Sequence, residues 1–357
     1  MGFLENELIS RSLPPLRPGD EMKEILLREE YGFLPHIDYS VVSDEPTAIE
    51  SRLNCGKTEL SRVNLTVNTS NGSHTFLLHR LLCNDGEKHP LIVFMDFHRE
   101  APSMYYPVEI VSEAKVNVLS FCYKDVTSDD GDFETGLAKL LLPQGQTDGN
   151  TAGKIMIWAF AARRVLDYAE TLPEIDFNRV GILGHSRLGK TALVAGMLDT
   201  RFTHVFSNNA GCAGDSLAHG SLGVTKKTGI RGGHGETISD ITRRFPFWFC
   251  KNYKKYAEKN FSDEFDQHFL LASIAPRRVH ISSSELDDWA DPLSQKLCCL
   301  AASKEWEKYN QTGFIYNDVS PSAGDTATGG AVSYHCREGL HFLSYKDWIK
   351  YIEALKS

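Results

Sequence analysis

The 357-residue chain has no apolar run near the roughly 20 residues that span a bilayer. Its opening, MGFLENELISRSLPPLRPGD, lacks an apolar run of seven or more. Neither a membrane span nor a secretory signal is therefore read there. The expected location is the cytoplasm, or outside the cell if a leader was trimmed. An excess of basic charge is also missing. Lys and Arg number 38 against 47 Asp and Glu, a net charge of -9, which excludes a general nucleic-acid binder, since phosphate contacts need clustered cations. The eight cysteines form no C-x-x-C pair and have no metal-ligand spacing. Lying in apolar contexts, they read as mostly reduced, buried thiols. No internal repeat, low-complexity tract or linker divides the chain. At 41% hydrophobic and 24% charged, it has the balance of a globular protein with a core large enough to need no disulfide staple. Oligomeric state is not written in the sequence.

What is present is a strand–helix alternation. Residues 62–82 alternate like two antiparallel strands around Ser70-Asn71-Gly72. Leu91–Phe97 and Val116–Cys122 are continuous apolar runs, the pattern of strands buried on both faces. Between Gly153 and Thr171 apolar residues recur at helical spacing. Arg179–Leu183, His204–Ser207 and Val279–Ser282 read as further strands. Glu21–Tyr31, Leu188–Leu198 and Trp348–Leu355 read as helices. This order predicts an α/β fold with a mostly parallel central sheet covered by helices on both faces. One domain, residues 1–357, is expected, with residues 1–60 as an N-terminal extension and residues 212–266 as a cap-like insertion.

The most specific motif is Gly184-His185-Ser186-Arg187-Leu188-Gly189, which follows a predicted buried strand and opens a helix. It fits G-x-S-x-x-G, with the second glycine one place later than in the commoner nucleophile turn. A serine hydroxyl becomes a useful nucleophile when a tight strand-to-helix turn exposes it beside a base. The plainer reading is a glycine-rich junction with Ser186 as an N-cap. Extended to Lys190-Thr191, the same residues also match the bare phosphate-loop pattern G-x-x-x-x-G-K-T. Their place in mid-chain argues against nucleotide binding. A base and an acid follow in the chain order that the hydrolase fold requires. His341 precedes the last helix, and Asp287 lies in the acid-rich loop Ser284–Pro292, with Asp288 as its rival. His98, His185 and His335 compete with His341 for the role of base.

Taken together these residues resemble the bacterial glucuronoyl esterases and their relatives, an α/β-hydrolase carbohydrate esterase family. The likeness rests on Gly184-His-Ser-Arg-Leu-Gly-Lys190, Asp287-Asp-Trp-Ala-Asp-Pro292, Phe245-Pro-Phe-Trp-Phe-Cys250, Asp266-Gln-His268, Ile274-Ala-Pro276 and Gly339-Leu-His341. It covers roughly residues 90–355. The resemblance implies that Arg187 adds a guanidinium to the oxyanion donors, where the alternative is a surface ion pair. It implies that Trp289 offers its face to a uronate ring. Lys190, one helical turn beyond Ser186, and Glu236 are candidate contacts to the sugar; Trp248 is expected to pack rather than touch substrate. One departure stands out. Where many members carry a catalytic Glu in the segment after the nucleophile helix, Asn209 is the matching residue, so the acid is expected from Asp287.

The expected activity is two-step acyl transfer on a carbohydrate ester, most specifically a 4-O-methyl-glucuronate ester. His341 accepts the Ser186 proton, and no metal or organic cofactor is required. An acetyl esterase acting on xylan oligosaccharides is the second reading. A catalytically silent carbohydrate-binding homologue is the alternative of another class. Carbohydrate ester is the expected partner; nucleic acid and membrane are not.

Overall fold

The computed structural model describes residues 2–220 and 235–357. Its strands, among the described residues, are β1 (Tyr39–Ser43), β2 (Thr47–Ala48), β3 (Thr58–Thr69), β4 (Gly72–Cys83), β5 (His89–Asp96), β6 (Asn117–Cys122), β7 (Ile175–His185), β8 (His204–Asn208), β9 (Arg278–Ser284), β10 (Thr326–Ala327) and β11 (Val332–Arg337). They join in one sheet of order β1-β3-β4-β6-β5-β7-β8-β9-β11-β10, with β2 paired to β3. The run from β6 to β11 is parallel, while β1, β2, β3, β4 and β10 pair antiparallel.

The central strand β5 carries apolar residues on both faces because both faces are covered. In β5, Leu91, Val93 and Met95 enter one core, and Ile92 and Phe94 enter a second. The first core is closed by the helices Lys154–Ala169, Arg187–Leu198 and Pro292–Ala302. The second is closed by Val108–Glu113 and Tyr345–Lys356, through Val108, Val111, Trp348, Tyr351 and Leu355. This is the mostly parallel sheet, covered by helices on both faces, that the alternation predicts. From β5 the chain crosses to β6 on one side and returns to β7 on the other. The gap between β5 and β7 is therefore a topological switch point, where open α/β sheets place ligands beyond the strand C-termini.

The helix expected over Glu21–Tyr31 begins earlier, at Gly19, and is α-helical only to Leu26. Leu27–Tyr31 forms a wider π-turn, closed by Gly32 N–H donating to Leu27 O at 2.8 Å. Gly32 has φ +84, and a Cβ there would meet Ala152 Cα at 2.5 Å. Met22, Ile25, Leu26 and Tyr31 belong to the same core as the sheet. The π-turn carries Glu30 fully inward, where both carboxyl oxygens accept from Gln267 Nε2 at 3.0 and 2.9 Å. Burial, only partly offset by Gln267, pushes this carboxyl up to about 8. An unfolded glutamate titrates near pH 4.3, on the order of the model-peptide value. Between these values the folded state holds the extra proton, so stability falls as pH rises, by up to about 1.4 kcal/mol per unit. From pH 5.5 to pH 8 the melting temperature of Glu30→Gln should therefore rise relative to that of the native chain, since the buried histidines titrate alike in both. A constant difference would show that Glu30 does not hold the extra proton.

Candidate active site

Ser186 stands between β7 and the Arg187–Leu198 helix with φ 57 and ψ -125, a region that non-glycine residues avoid and that persists chiefly where a site demands it. Its N–H donates to Asn208 O at 2.8 Å, tying the turn to the end of β8. The glycines on either side explain the local sequence. A Cβ at Gly184 would lie 1.9 Å from Leu188 O. One at Gly189 would lie 2.9 Å from Ser207 Oγ and 3.0 Å from the Ala210 methyl. The later second glycine therefore suits a helix that presses onto the exit of β8. The first turn of that helix, with its unpaired N–H groups, begins at the serine.

Two loops approach the Ser186 turn from strands further along the sheet. Asp287 follows β9, His341 follows β11, and His341 Nδ1 donates to Asp287 Oδ2 at 2.6 Å. Of the two adjacent aspartates, Asp287 is the buried one and the one paired with the imidazole. Burial alone would raise its pKa. The hydrogen bond and charge of His341 and the amide of Asn209 outweigh this and hold it below the ordinary carboxylate value. The rival histidines are otherwise engaged. His185 is buried, shares its Nδ1 with Asn208 Oδ1 at 2.6 Å, and is driven down to about 3 by burial and the nearby His341 charge. His335 bridges Asp347 and His280, both at 2.8 Å, inside the core. His98 packs against Tyr105.

Ser186 and His341 open onto a cavity of about 210 Å³ whose wall includes Arg187, Lys190, Asn209, Glu236, Trp248 and Trp289. All the candidate site residues except Asp287, which stands behind His341, thus line one space. Lys190 is buried, and its ammonium donates to the carbonyls of Ala210 and Cys212. Among the described residues these are its only acceptors, which leaves one of its three N–H groups over. Glu236 is buried too, its pKa raised by that burial against the opposing charges of Lys190 and Arg244. Its backbone N–H donates to Trp289 O at 2.9 Å. Gly211, at φ +68, allows this Trp289–Ala290 segment to approach, since a Cβ would meet Ala290 Cα at 3.1 Å.

Sequence reasoning gave no role to three residues that shape the wall: Asp129, Arg244 and Phe245. Asp129 pairs with the Arg187 guanidinium and accepts from Trp248 Nε1 at 2.7 Å and Tyr123 OH at 2.8 Å. Arg187 is thus ion-paired, but within the cavity wall, its guanidinium carbon 4.6 Å from the Trp248 ring centroid. Trp248 both packs, stacked on Phe245 at 3.9 Å, and faces the cavity. Arg244 lies over the Phe245 and Trp289 rings at the mouth. Part of the expected insertion, residues 221–234, lies outside the described residues; Glu236, Arg244, Phe245 and Trp248 come from its remainder. All eight cysteines are free, and only Cys55 is exposed. Among the described residues no cluster of His, Cys, Asp and Glu could hold a metal, and no helix is long and apolar enough to cross a membrane.

A doubly covered, mostly parallel sheet with a serine on a strained turn at the switch point defines an α/β-hydrolase. More narrowly, the family described as glucuronyl esterase, fungi, matches residues 61–310, and the chain belongs to that family. A carbohydrate esterase, MZ0003, from an unknown prokaryotic organism is 38% identical over 201 residues, 56% of this chain and 43% of its own length. A 4-O-methyl-glucuronoyl methylesterase of Podospora anserina is 26% identical over 296 residues, 80% of this chain and 55% of its own. The chain thus spans about half the length of the curated relatives it matches. Among solved structures, a glucuronoyl esterase from Solibacter usitatus superposes with a TM-score of 0.79 at 28% identity, covering 95% of this chain and 92% of that one.

Proposed function

We propose that this chain is a serine carboxylic-ester hydrolase that cleaves a glucuronoyl ester of a cell-wall carbohydrate by two-step acyl transfer. The observation that carries the reading is the 2.6 Å bond from His341 Nδ1 to Asp287. It commits that nitrogen and leaves Nε2 to serve the Ser186 hydroxyl in the same cavity. His341 takes the serine proton as Ser186 Oγ attacks the ester carbonyl. The developing oxyanion is met by the first N–H groups of the helix and by the Arg187 guanidinium. The alcohol leaves with the proton from His341; water, activated by the same imidazole, then releases the acid. Asp287 holds the imidazole in the right tautomer and stabilises its charged form.

Substrate class follows from the wall. The half-buried Trp289 offers a flat apolar face to a sugar ring. Glu236 and the remaining Lys190 N–H offer an acceptor and a donor to its hydroxyls. The names of the relatives support the glucuronoyl assignment. We read residues 1–357 as one domain, with the described part of 212–266 roofing the cavity.

The experiment is paired hydrolysis of benzyl glucuronate and para-nitrophenyl acetate, with Ser186→Ala as the background. Turnover of the glucuronate above that background is the expected result. Turnover of the acetate alone would move the substrate to acetylated sugars. If neither is turned over and a fluorophosphonate fails to label Ser186 in folded protein, the hydrolase reading is wrong.

A further inference from the structure

Asn209 is not accounted for by catalysis as described, yet it occupies the centre of the site. It directly follows β8, 1% exposed, with φ +48, a left-handed conformation that asparagine tolerates better than most residues. That conformation turns the chain out of the strand while Asn209 N–H still donates to Ser282 O at 2.9 Å. The side chain is thereby aimed at the loop after β9. Its Nδ2 donates to Ser284 Oγ at 2.7 Å and to Asp287 Oδ2 at 2.8 Å, the same oxygen that accepts from His341. The opposite orientation of the amide would set its oxygen against the Asp287 carboxylate, acceptor to acceptor, so these contacts fix it. Asn209 Oδ1 is left buried without a partner among the described residues, on a side chain that lines the cavity. A residue kept for packing alone would gain nothing from such an orphaned acceptor.

We propose that Asn209 is a positioning residue for the Asp287–His341 pair, an inference that rests on the acyl-transfer reading above. Its amide fixes the Asp287 carboxylate in the rotamer that meets His341 Nδ1. It also supplies the second donor that lets a carboxylate only 4% exposed stay ionised beside the imidazole. Because the β8 exit also accepts the Ser186 N–H through Asn208 O, one short segment sets the serine turn and the acid together.

The test uses the pH dependence of fluorophosphonate labelling of Ser186 in the full chain, which needs no knowledge of the substrate. Asn209→Asp keeps the size and the tolerance of φ +48 but puts a second carboxylate against Asp287. Two carboxylates in hydrogen-bond range resist joint ionisation, so the acidic limb of the labelling rate should move up by about one pH unit or more. Above that limb the rate should still plateau about tenfold below native, because the amide donor to Asp287 is gone in this variant too. Asn209→Gly removes the amide without backbone strain. It should move the limb the same way by less and lower the plateau about tenfold, the scale on which a lost orienting partner is felt. Native limbs in both variants, or an equal loss at every pH with no shift, would overturn the proposal. Asp287→Ala is the separate control: if it labels like the native chain, the acyl-transfer reading itself fails, whatever Asn209 does.

Discussion

Ser186→Ala is expected to cut kcat on an accepted ester by about 10⁶, and Asp287→Ala by about 10⁴, with the double variant no slower than Ser186→Ala alone. The non-additivity is the point. If the serine, imidazole and carboxylate act as one proton-transfer unit, removing the nucleophile already removes what the other two contribute. The smaller cost at Asp287 follows from its place. It does not line the cavity, and in the proposed mechanism it works only through the 2.6 Å bond to His341. Asp288→Ala sets the scale of a neighbouring charge that is not paired with the imidazole, and kcat there should stay within about tenfold of native. Should Asp288→Ala cost as much as Asp287→Ala, the pairing of His341 with Asp287 would not be the functional one. Steady-state kcat and KM for the three variants, with melting curves to confirm folding, decide it.

The strands that set this geometry differ in how readable they were, and burial chemistry explains why. β5, β6 and β8 are covered on both faces and each holds a run of adjacent apolar residues, so they stand out in the sequence. β11, which delivers His341, was not visible. Its buried positions include Ser333, His335 and Arg337, the last two made tolerable inside by the Asp347 carboxylate on the last helix. The Pro292–Ala302 helix hides for a like reason, since it buries Gln295 and Lys296 against Asp215 and Asp325. β1 is mostly exposed and lies at the sheet edge, so it shows no inward-facing pattern. In the site, Ser186, His341 and the acid-rich loop were legible because motif and chain order name them. The partners were not: Asn209 meets Asp287 across 78 residues, and Asp129 meets Arg187 and Trp248 across 58 and 119. No local spacing encodes such pairs. Lys190 was placed correctly one turn past the serine. That two of its protons go to backbone carbonyls depends on the fold of the 210–212 segment.

Those long-range partners lead to the second large effect. Arg187→Ala should lower kcat by about 10²–10³ with KM changed much less, the loss typical of one oxyanion donor. Arg187→Lys should not rescue it, because a lysine ammonium lacks the planar fork that lies over Trp248 while pairing with Asp129. Asp129 itself is not among the residues that line the cavity. Its carboxylate collects Arg187, the Trp248 indole and the Tyr123 hydroxyl, from three separate parts of the chain, and so fixes where the guanidinium stands. Asp129→Asn can still accept from Trp248 but cannot hold the cation by charge, and kcat should fall about tenfold. In the Arg187→Ala background the same change should cost almost nothing further, since its effect runs through the arginine. Additive losses in that cycle would mean that Asp129 supports the cavity wall independently of the oxyanion. A KM-dominated loss in Arg187→Ala would instead make the guanidinium a substrate contact present before the carbonyl is attacked.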